Sequence, residues 1–394
     1  MKHLIWITPA FLSVVILILI CGCAANTRST DVATPTKFRA YVGTYNGSKS
    51  QGIYTFTFDA TTGEPGPLEL AAPAANPSFL ALHPDGRHLY AVGDMTNAEG
   101  KKAGAVSAFA LQPDGKLTFI NQATTVGAGP CHLTVDKSGR MVLAANYGGG
   151  SVVAFPIQPE GSVGEHSCFV QHTGRSVTPR QAQPNAHSVN ISPDNRFVFV
   201  ADLGLDQVLT YKLDPARATF AAHDPAFVKV APGSGPRHFC FHPNGRSAYV
   251  INELSLTVTA FRFDGARGTL TEIQTVSALP AADGPGPQSG WSAAEIVVHP
   301  GGKFLYGSNR GHDSITVFAI ADDGTLSLVQ NAPAEVKVPR NFALDPTGQW
   351  LFVEGQKSDS IALFRVAVET GKLTFTGTKL EVGSPVCLKF IPMQ

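Results

Sequence analysis

The sequence predicts an all-β protein, a seven-bladed β-propeller with four strands per blade. Three observations predict it. A hairpin phrase recurs with its turn at Pro84, Lys137, Pro193, Pro243, Pro300 and Pro346. Two further strand signals separate successive copies. A seventh copy is divided between the chain ends, so the C-terminal strand must join the N-terminal strands to complete a blade and close the ring.

In chain order, residues 1–23 have the anatomy of an export signal: a short positive start, a mostly apolar run over residues 4–20, and then Cys21-Gly-Cys23. Ile20-Cys-Gly-Cys23 resembles a bacterial lipobox, which makes Cys23 the expected site of lipidation. An uncleaved membrane anchor is the alternative, because the run is marginally long enough to span. Residues 24–37 are polar and read as a flexible linker. The body, residues 38–394, is expected to lie outside the cytoplasm, as a periplasmic or cell-envelope lipoprotein that meets the membrane only through its N-terminal lipid anchor.

The propeller then begins with half a blade. Phe38-Arg-Ala-Tyr-Val-Gly-Thr44 is a second strand with no first strand before it. The full phrase is clearest at Gly235-Pro-Arg-His-Phe-Cys-Phe-His-Pro-Asn-Gly-Arg-Ser-Ala-Tyr-Val-Ile-Asn-Glu253. Phe239 to Phe241 and Ala248 to Ile251 are short apolar, β-prone runs. Pro243-Asn-Gly245 between them is turn chemistry, since Pro presets φ and Asn-Gly tolerates positive φ. Outer strands follow each hairpin, as in Val106-Ser-Ala-Phe-Ala-Leu111 with Leu117-Thr-Phe-Ile120, joined through Pro113-Asp-Gly115. Ser384-Pro-Val-Cys-Leu-Lys-Phe-Ile-Pro392 supplies the missing first strand at the end of the chain. A stack of sandwich domains would need no such shared unit.

Composition narrows the function. Net charge is zero and only 15% of residues are charged, so no basic field argues for nucleic acid as a partner. Beyond the signal, Cys131, Cys168, Cys240 and Cys387 stand far apart with no CxxC pair, which excludes a zinc pattern and leaves them as small strand fillers. There is no phosphate-binding Gly-rich loop and no G-x-S-x-G nucleophile elbow. No cofactor and no metal are expected, and the chain is read as a monomer.

The polar signal lies in columns. Six positions before each anchor stand Ser78, Cys131, His187, Arg237, Ala294, Arg340 and Val386; one position later stand Phe79, His132, Ser188, His238, Glu295, Asn341 and Cys387. Nine and ten positions after it stand, among others, Asp202, Asn252, Glu253, Asn309 and Arg310. In an antiparallel hairpin the start of one strand lies beside the end of the next, so these columns share one face around the central channel. Arg237, Arg310 and Arg340, with Asp202, Glu253 and Glu295 and with His187 and His238, suit a small anionic, oxygen-rich molecule. Two bland alternatives stand beside this. Glu253 with Arg237, and Glu295 with Arg310, can be purely structural pairs. His187, His238 and a Glu can also ligate a divalent ion, although three neighbouring arginines disfavour it. His83, His242 and His299 recur before the anchor Pro and read as part of the turn.

Together, Tyr41-Val-Gly-Thr-Tyr45, Pro184-Asn-Ala-His187, Ala201-Asp-Leu-Gly-Leu-Asp206, Gly235-Pro-Arg-His238, Asn252-Glu253, Ala294-Glu-Ile296, Ser308-Asn-Arg-Gly311 and Pro339-Arg-Asn341 resemble the seven-bladed lactonase family. That family includes propeller-type 6-phosphogluconolactonases and fungal carboxy-muconate cyclases. The resemblance implies a metal-independent lactonase acting on a sugar-acid lactone. Its catalytic set would be His187, Arg237, Glu253 and Arg310, with Glu253 or His187 as general base. His132, Asp202, His238, Glu295, Asn309, Arg340 and Asn341 would contact or support a small anionic or sugar-derived lactone. A muconate-type lactone cycloisomerase and a non-catalytic, surface-anchored binding module are the alternatives.

Overall fold

The computed structural model describes residues 1–4, 35–97, 99–283 and 286–393. Residues 1–4 are exposed and irregular. The signal and lipidation readings, Cys23 included, and most of the linker fall on residues 5–34 and lie outside the described residues.

Seven sheets make up the body, each an antiparallel meander. Six are read straight along the chain, with innermost strands Phe79–Leu82, Pro130–Val135, Ala186–Ile191, Pro236–Phe241, Ser292–Val298 and Pro339–Leu344. In the seventh, the C-terminal strand Pro385–Pro392 is innermost and pairs antiparallel with Lys37–Thr44, from Phe38 opposite Pro392 to Thr44 opposite Pro385. The divided copy thus closes the ring. The outer edge of this blade is broken into Glu64–Pro65 and Glu69–Pro73, because prolines cannot donate to a ladder. Among the described residues regular structure is otherwise strand, with 3-10 turns at Pro179–Gln181 and Ala281–Asp283.

Hydrophobic clusters lie between neighbouring blades, since strands buried on both faces read as near-continuous apolar runs such as Phe197–Asp202 and Ser247–Asn252. Repeated polar contacts fix the spacing. Tyr90, Tyr249 and Tyr306 each donate a phenol hydrogen bond to a turn glycine carbonyl, at Gly161, Gly324 and Gly371, over 2.9 to 3.1 Å. His83, His242 and His299 do the same work in the first turn, with Nε2 donating to Gly139, Gly302 and Gly348 carbonyls. Their Nδ1 atoms accept a backbone N–H two residues on, so these histidines are spent on the turn. Cys131, Cys168, Cys240 and Cys387 are free thiols.

One irregularity recurs and decides what faces the channel. The first hairpin of several blades slips register at the start of its innermost strand. Pro236 pairs with Asn252 but His238 with Ile251, leaving Arg237 as the extra residue of a β-bulge. Cys131, His187, Arg340 and Val386 occupy the same unpaired position in their blades. A bulge re-aims the side chain it carries. The column six positions before the anchor is therefore a bulge column at one end of the channel.

Candidate functional site

A cavity of about 410 Å³ opens at that end. His187, Cys131 and Arg340 reach it from bulges, Glu253 and Arg310 from the ends of second strands, and Tyr45, Asn76, Ser78, Asp94, Lys102 and Tyr147 complete its lining. Arg180 enters from a different source, the segment 172–185 that links two blades and holds the 3-10 turn Pro179–Gln181.

Glu253 is the hub. It is buried, and three guanidiniums meet its carboxylate: Arg180 Nη1 at 2.8 Å on Oε1, with Arg237 Nε at 3.0 Å and Arg310 Nη2 at 2.9 Å on Oε2. Burial alone would push this carboxyl up, but Arg310, Arg237 and Arg180 outweigh it and pull it down to about 2. Arg237 is 2% exposed, does not line the cavity, and spends Nη1 on the Ala294 carbonyl at 2.7 Å. Burial, with the nearby Arg340 and Arg310, lowers its guanidinium to about 9, so it remains a cation at neutral pH. The wider cluster sets four guanidiniums against one carboxylate. Arg340 forms no ion pair among the described residues and lies 5.6 Å over the Tyr45 ring. The surplus positive charge makes the cavity an anion trap.

Burial, then the charges of Arg237 and the neighbouring His238 and Arg340, hold His187 well below the usual histidine range. It is a neutral imidazole at pH 7, able to accept a proton. Its ring lies 5.2 Å from Tyr147 and 5.3 Å from His238, centre to centre. Burial pushes the adjacent Cys131 thiol up to about 12, which makes it a poor nucleophile.

Of the residues singled out in the sequence, His187, Glu253, Arg310 and Arg340 line the cavity. A second group lies deeper in the channel. His238 Nδ1 donates to Glu295 at 2.9 Å, Asn341 Nδ2 bonds the same carboxylate, and the His132 ring packs 5.3 Å from that of His238. His132, Glu295 and Asn341 line a separate cavity of about 360 Å³ that extends to the turn at Pro346. The structure departs from the sequence reading at three points. Arg310 pairs with Glu253 rather than Glu295. Asp202 lies off both cavities and is engaged by His172 Nδ1 at 2.7 Å and by the Asn185 and Gly204 N–H groups. Asn309 is also off both, its Nδ2 tied to the Ala278 carbonyl, Ser314 and Thr316. Asn146 and Asn252 make matching turn bonds, so recurrence of Asn in that column was the signal of a structural role. Arg180 was missed because its segment stands outside the repeat register. Asp94 and Tyr147 stand ten positions after Pro84 and Lys137, in the column that also holds Glu253 and Arg310.

Among the described residues, the one group of metal-ligating side chains close enough to share an ion is His83, Asp85 and His88. It belongs to a turn between first and second strands, at the opposite end of its blade, and His83 there repeats the bonds of His242 and His299.

Comparison with known proteins agrees with this architecture. The family described as "Lactonase, 7-bladed beta-propeller" matches residues 39–390. A Bacillus subtilis protein named 6-phosphogluconolactonase is 38% identical over 90% of this chain and 99% of its own length. A Formosa agariphila protein of the same name is 36% identical over 89% of this chain and 98% of its own. The solved structure of the Pseudomonas aeruginosa periplasmic gluconolactonase superposes with a TM-score of 0.83 at 34% identity, over 91% of this chain and all of that one.

Proposed function

The chain belongs to the lactonase family of seven-bladed β-propellers, and from that premise we propose that it hydrolyses a sugar-acid lactone bearing an anionic group, without a metal ion, in the arginine-rich cavity. The observation that carries this reading is the cluster around Glu253: three guanidiniums, those of Arg180, Arg310 and Arg340, line one cavity with Glu253 and the neutral imidazole of His187, and Arg237 backs the carboxylate from outside it.

The same cluster divides the roles. A general base needs an available lone pair. Glu253 has both oxygens engaged by guanidiniums and is held down at about 2, so it anchors the arginines. His187 is neutral and open to the cavity, and it takes the base role. A water attacks the lactone carbonyl carbon while His187 accepts its proton. Negative charge develops on the carbonyl oxygen, which the cavity arginines stabilise. Arg310 has an Nε donor with no hydrogen-bond partner, and Arg340, which forms no ion pair among the described residues, holds the substrate's phosphate or carboxylate beside Arg180. The ring C–O bond then breaks, the proton on His187 passes to the departing alkoxide, and the open-chain hydroxy acid ionises to its carboxylate and a proton. Arg237 supports Glu253 from behind, and His238, Glu295, Asn341 and His132 support the floor.

We also propose an exported location. The signal-like residues 1–23 favour it, and the Pseudomonas relative is named as periplasmic. An exported enzyme meets lactones other than cytoplasmic intermediates, so the substrate panel must be broad. The test measures acid release from D-glucono-1,5-lactone, its 6-phosphate and an aromatic-derived muconolactone, with and without EDTA. The expected result is turnover of the sugar lactones, fastest for the phosphorylated one and unchanged by EDTA. Silence across the panel would assign the protein to binding, and preference for the muconolactone would assign it to the cyclase branch.

A further inference from the structure

Between the second and third strands, Gly150, Asp206, Leu256, Asp313 and Asp359 occupy the same place in five blades, all with positive φ of 50 to 60°. Where the residue is Asp, it clamps two blades. Its Oδ1 accepts the N–H of the residue just before the next innermost strand: Gly235 at 2.7 Å, Val338 at 2.9 Å and Ser384 at 2.9 Å. Each of those strands begins with a proline, Pro236, Pro339 or Pro385, so this N–H is the last donor before the strand.

Asp206 differs from the other two in what holds its remaining lone pairs. Asp313 and Asp359 give Oδ2 to exposed lysines, Lys337 at 3.3 Å and Lys49 at 3.0 Å. Asp206 is buried. Its Oδ2 accepts from Ser176 Oγ at 2.5 Å and the Gly233 N–H at 2.7 Å, and its Oδ1 also accepts from Gln181 Nε2 at 2.7 Å. Ser176 and Gln181 bracket the turn that carries Arg180, and the Ser176 N–H bonds the Gln181 carbonyl at 2.9 Å. The same carboxylate therefore holds the segment bearing Arg180 and the strand start bearing Arg237, and those two arginines meet on Glu253.

We infer that Asp206 is a positioning residue that sets Arg180 against Glu253 and the cavity, a role added to a clamp that its sibling aspartates perform alone. Arg180 has most to gain from such a hold, because its side chain is 52% exposed and comes from an irregular segment. The inference rests on the reading that the arginine cluster binds substrate.

The experiment is a double-mutant cycle on the purified full chain, with kcat, KM and Tm measured on D-glucono-1,5-lactone 6-phosphate. Asp359→Ala is the control for the clamp alone. The expected result is that Asp206→Ala and Arg180→Ala each lower kcat/KM about tenfold, chiefly through KM, while the double variant is no worse than either. Asp359→Ala lowers Tm comparably but keeps kcat/KM within about twofold. Asp206→Asn retains the Oδ1 acceptor but not the Oδ2 contacts, and is expected to keep most of the Tm while sharing the KM rise. Multiplicative losses in the double variant, or an Asp206→Ala that behaves like Asp359→Ala, would overturn the inference. A silent Arg180→Ala overturns it as well. Full activity in His187→Ala and Arg310→Ala is a separate result, which would sink the assignment of the site itself.

Discussion

Replacing Glu253 by Gln probes the hub of the cavity, and its size follows from the geometry. The carboxyl stands at about 2 against an ordinary 4.5. At 1.36 kcal/mol per unit, that difference amounts to about 3 kcal/mol of stability carried by the ionised form. The folded value is the depressed one. The contribution is therefore complete above the unfolded value near 4.5 and is lost as pH falls from there through about 2. For a propeller of roughly 360 residues, about 3 kcal/mol corresponds to a Tm shift of about 4 °C. The assay is thermal unfolding of wild type and Glu253→Gln at pH 7 and at stepped values down to pH 2. At pH 7 the variant is expected to melt about 4 °C lower, and the two curves are expected to converge in acid as wild type loses its charge. Equal Tm at pH 7, or parallel curves throughout, would refute the three-arginine clamp. Activity gives a second readout on the same variant. With Glu253 an anchor, kcat/KM drops but its acid limb stays where His187 sets it. A limb that vanishes in Glu253→Gln would make the carboxylate the base.

Further outcomes follow from neighbouring groups. His187→Ala should cost about a hundredfold or more in kcat, and because burial and Arg237 lower this imidazole, the acid limb of wild-type kcat/KM should lie below pH 6.5 and disappear in the variant. Arg340→Ala should raise KM for a phosphorylated lactone about tenfold and leave KM for an uncharged lactone and the Tm nearly unchanged, since this guanidinium forms no ion pair among the described residues and rests over the Tyr45 ring. Glu354 is buried with neither carboxylate oxygen hydrogen-bonded, and burial, with Glu295 nearby, raises it well above 4.5. Its folded value is the raised one, so it costs stability increasingly as pH climbs above 4.5; Glu354→Leu should therefore raise Tm more at pH 8 than at pH 5, and a variant less stable at both would show a partner for that carboxyl.

The hairpin from Gly235 to Glu253 illustrates how far residues alone reach. Its turn, its apolar runs and its charged ends were all legible, because period-2 packing and Asn-Gly turn chemistry act within a few residues. Its pairing of Arg237 with Glu253 was legible too, since strand start and strand end are neighbours in any antiparallel hairpin. That Arg237 stands behind Glu253 and out of the cavity was not, because the bulge that turns it depends on how Pro236 and His238 pair with the second strand. Asp202 and Asn309 were read as ligand contacts because a column gives a position and no direction. Both point their polar atoms into turns.

By itself the sequence determined the ring: seven hairpin phrases, their turns, and chain ends that complete one blade. Those are local or strictly periodic features, and each copy repeats the same short-range physics. Only the tertiary structure decided which charges meet. Arg180, Arg237, Glu253 and Arg310 come from two blades and a linking segment, and their pairing is settled at 2.8 to 3.0 Å. Coulomb energy at such distances depends on closure of the whole ring, on the bulges that aim each side chain, and on an inserted turn held by Asp206, none of which has a sequence period.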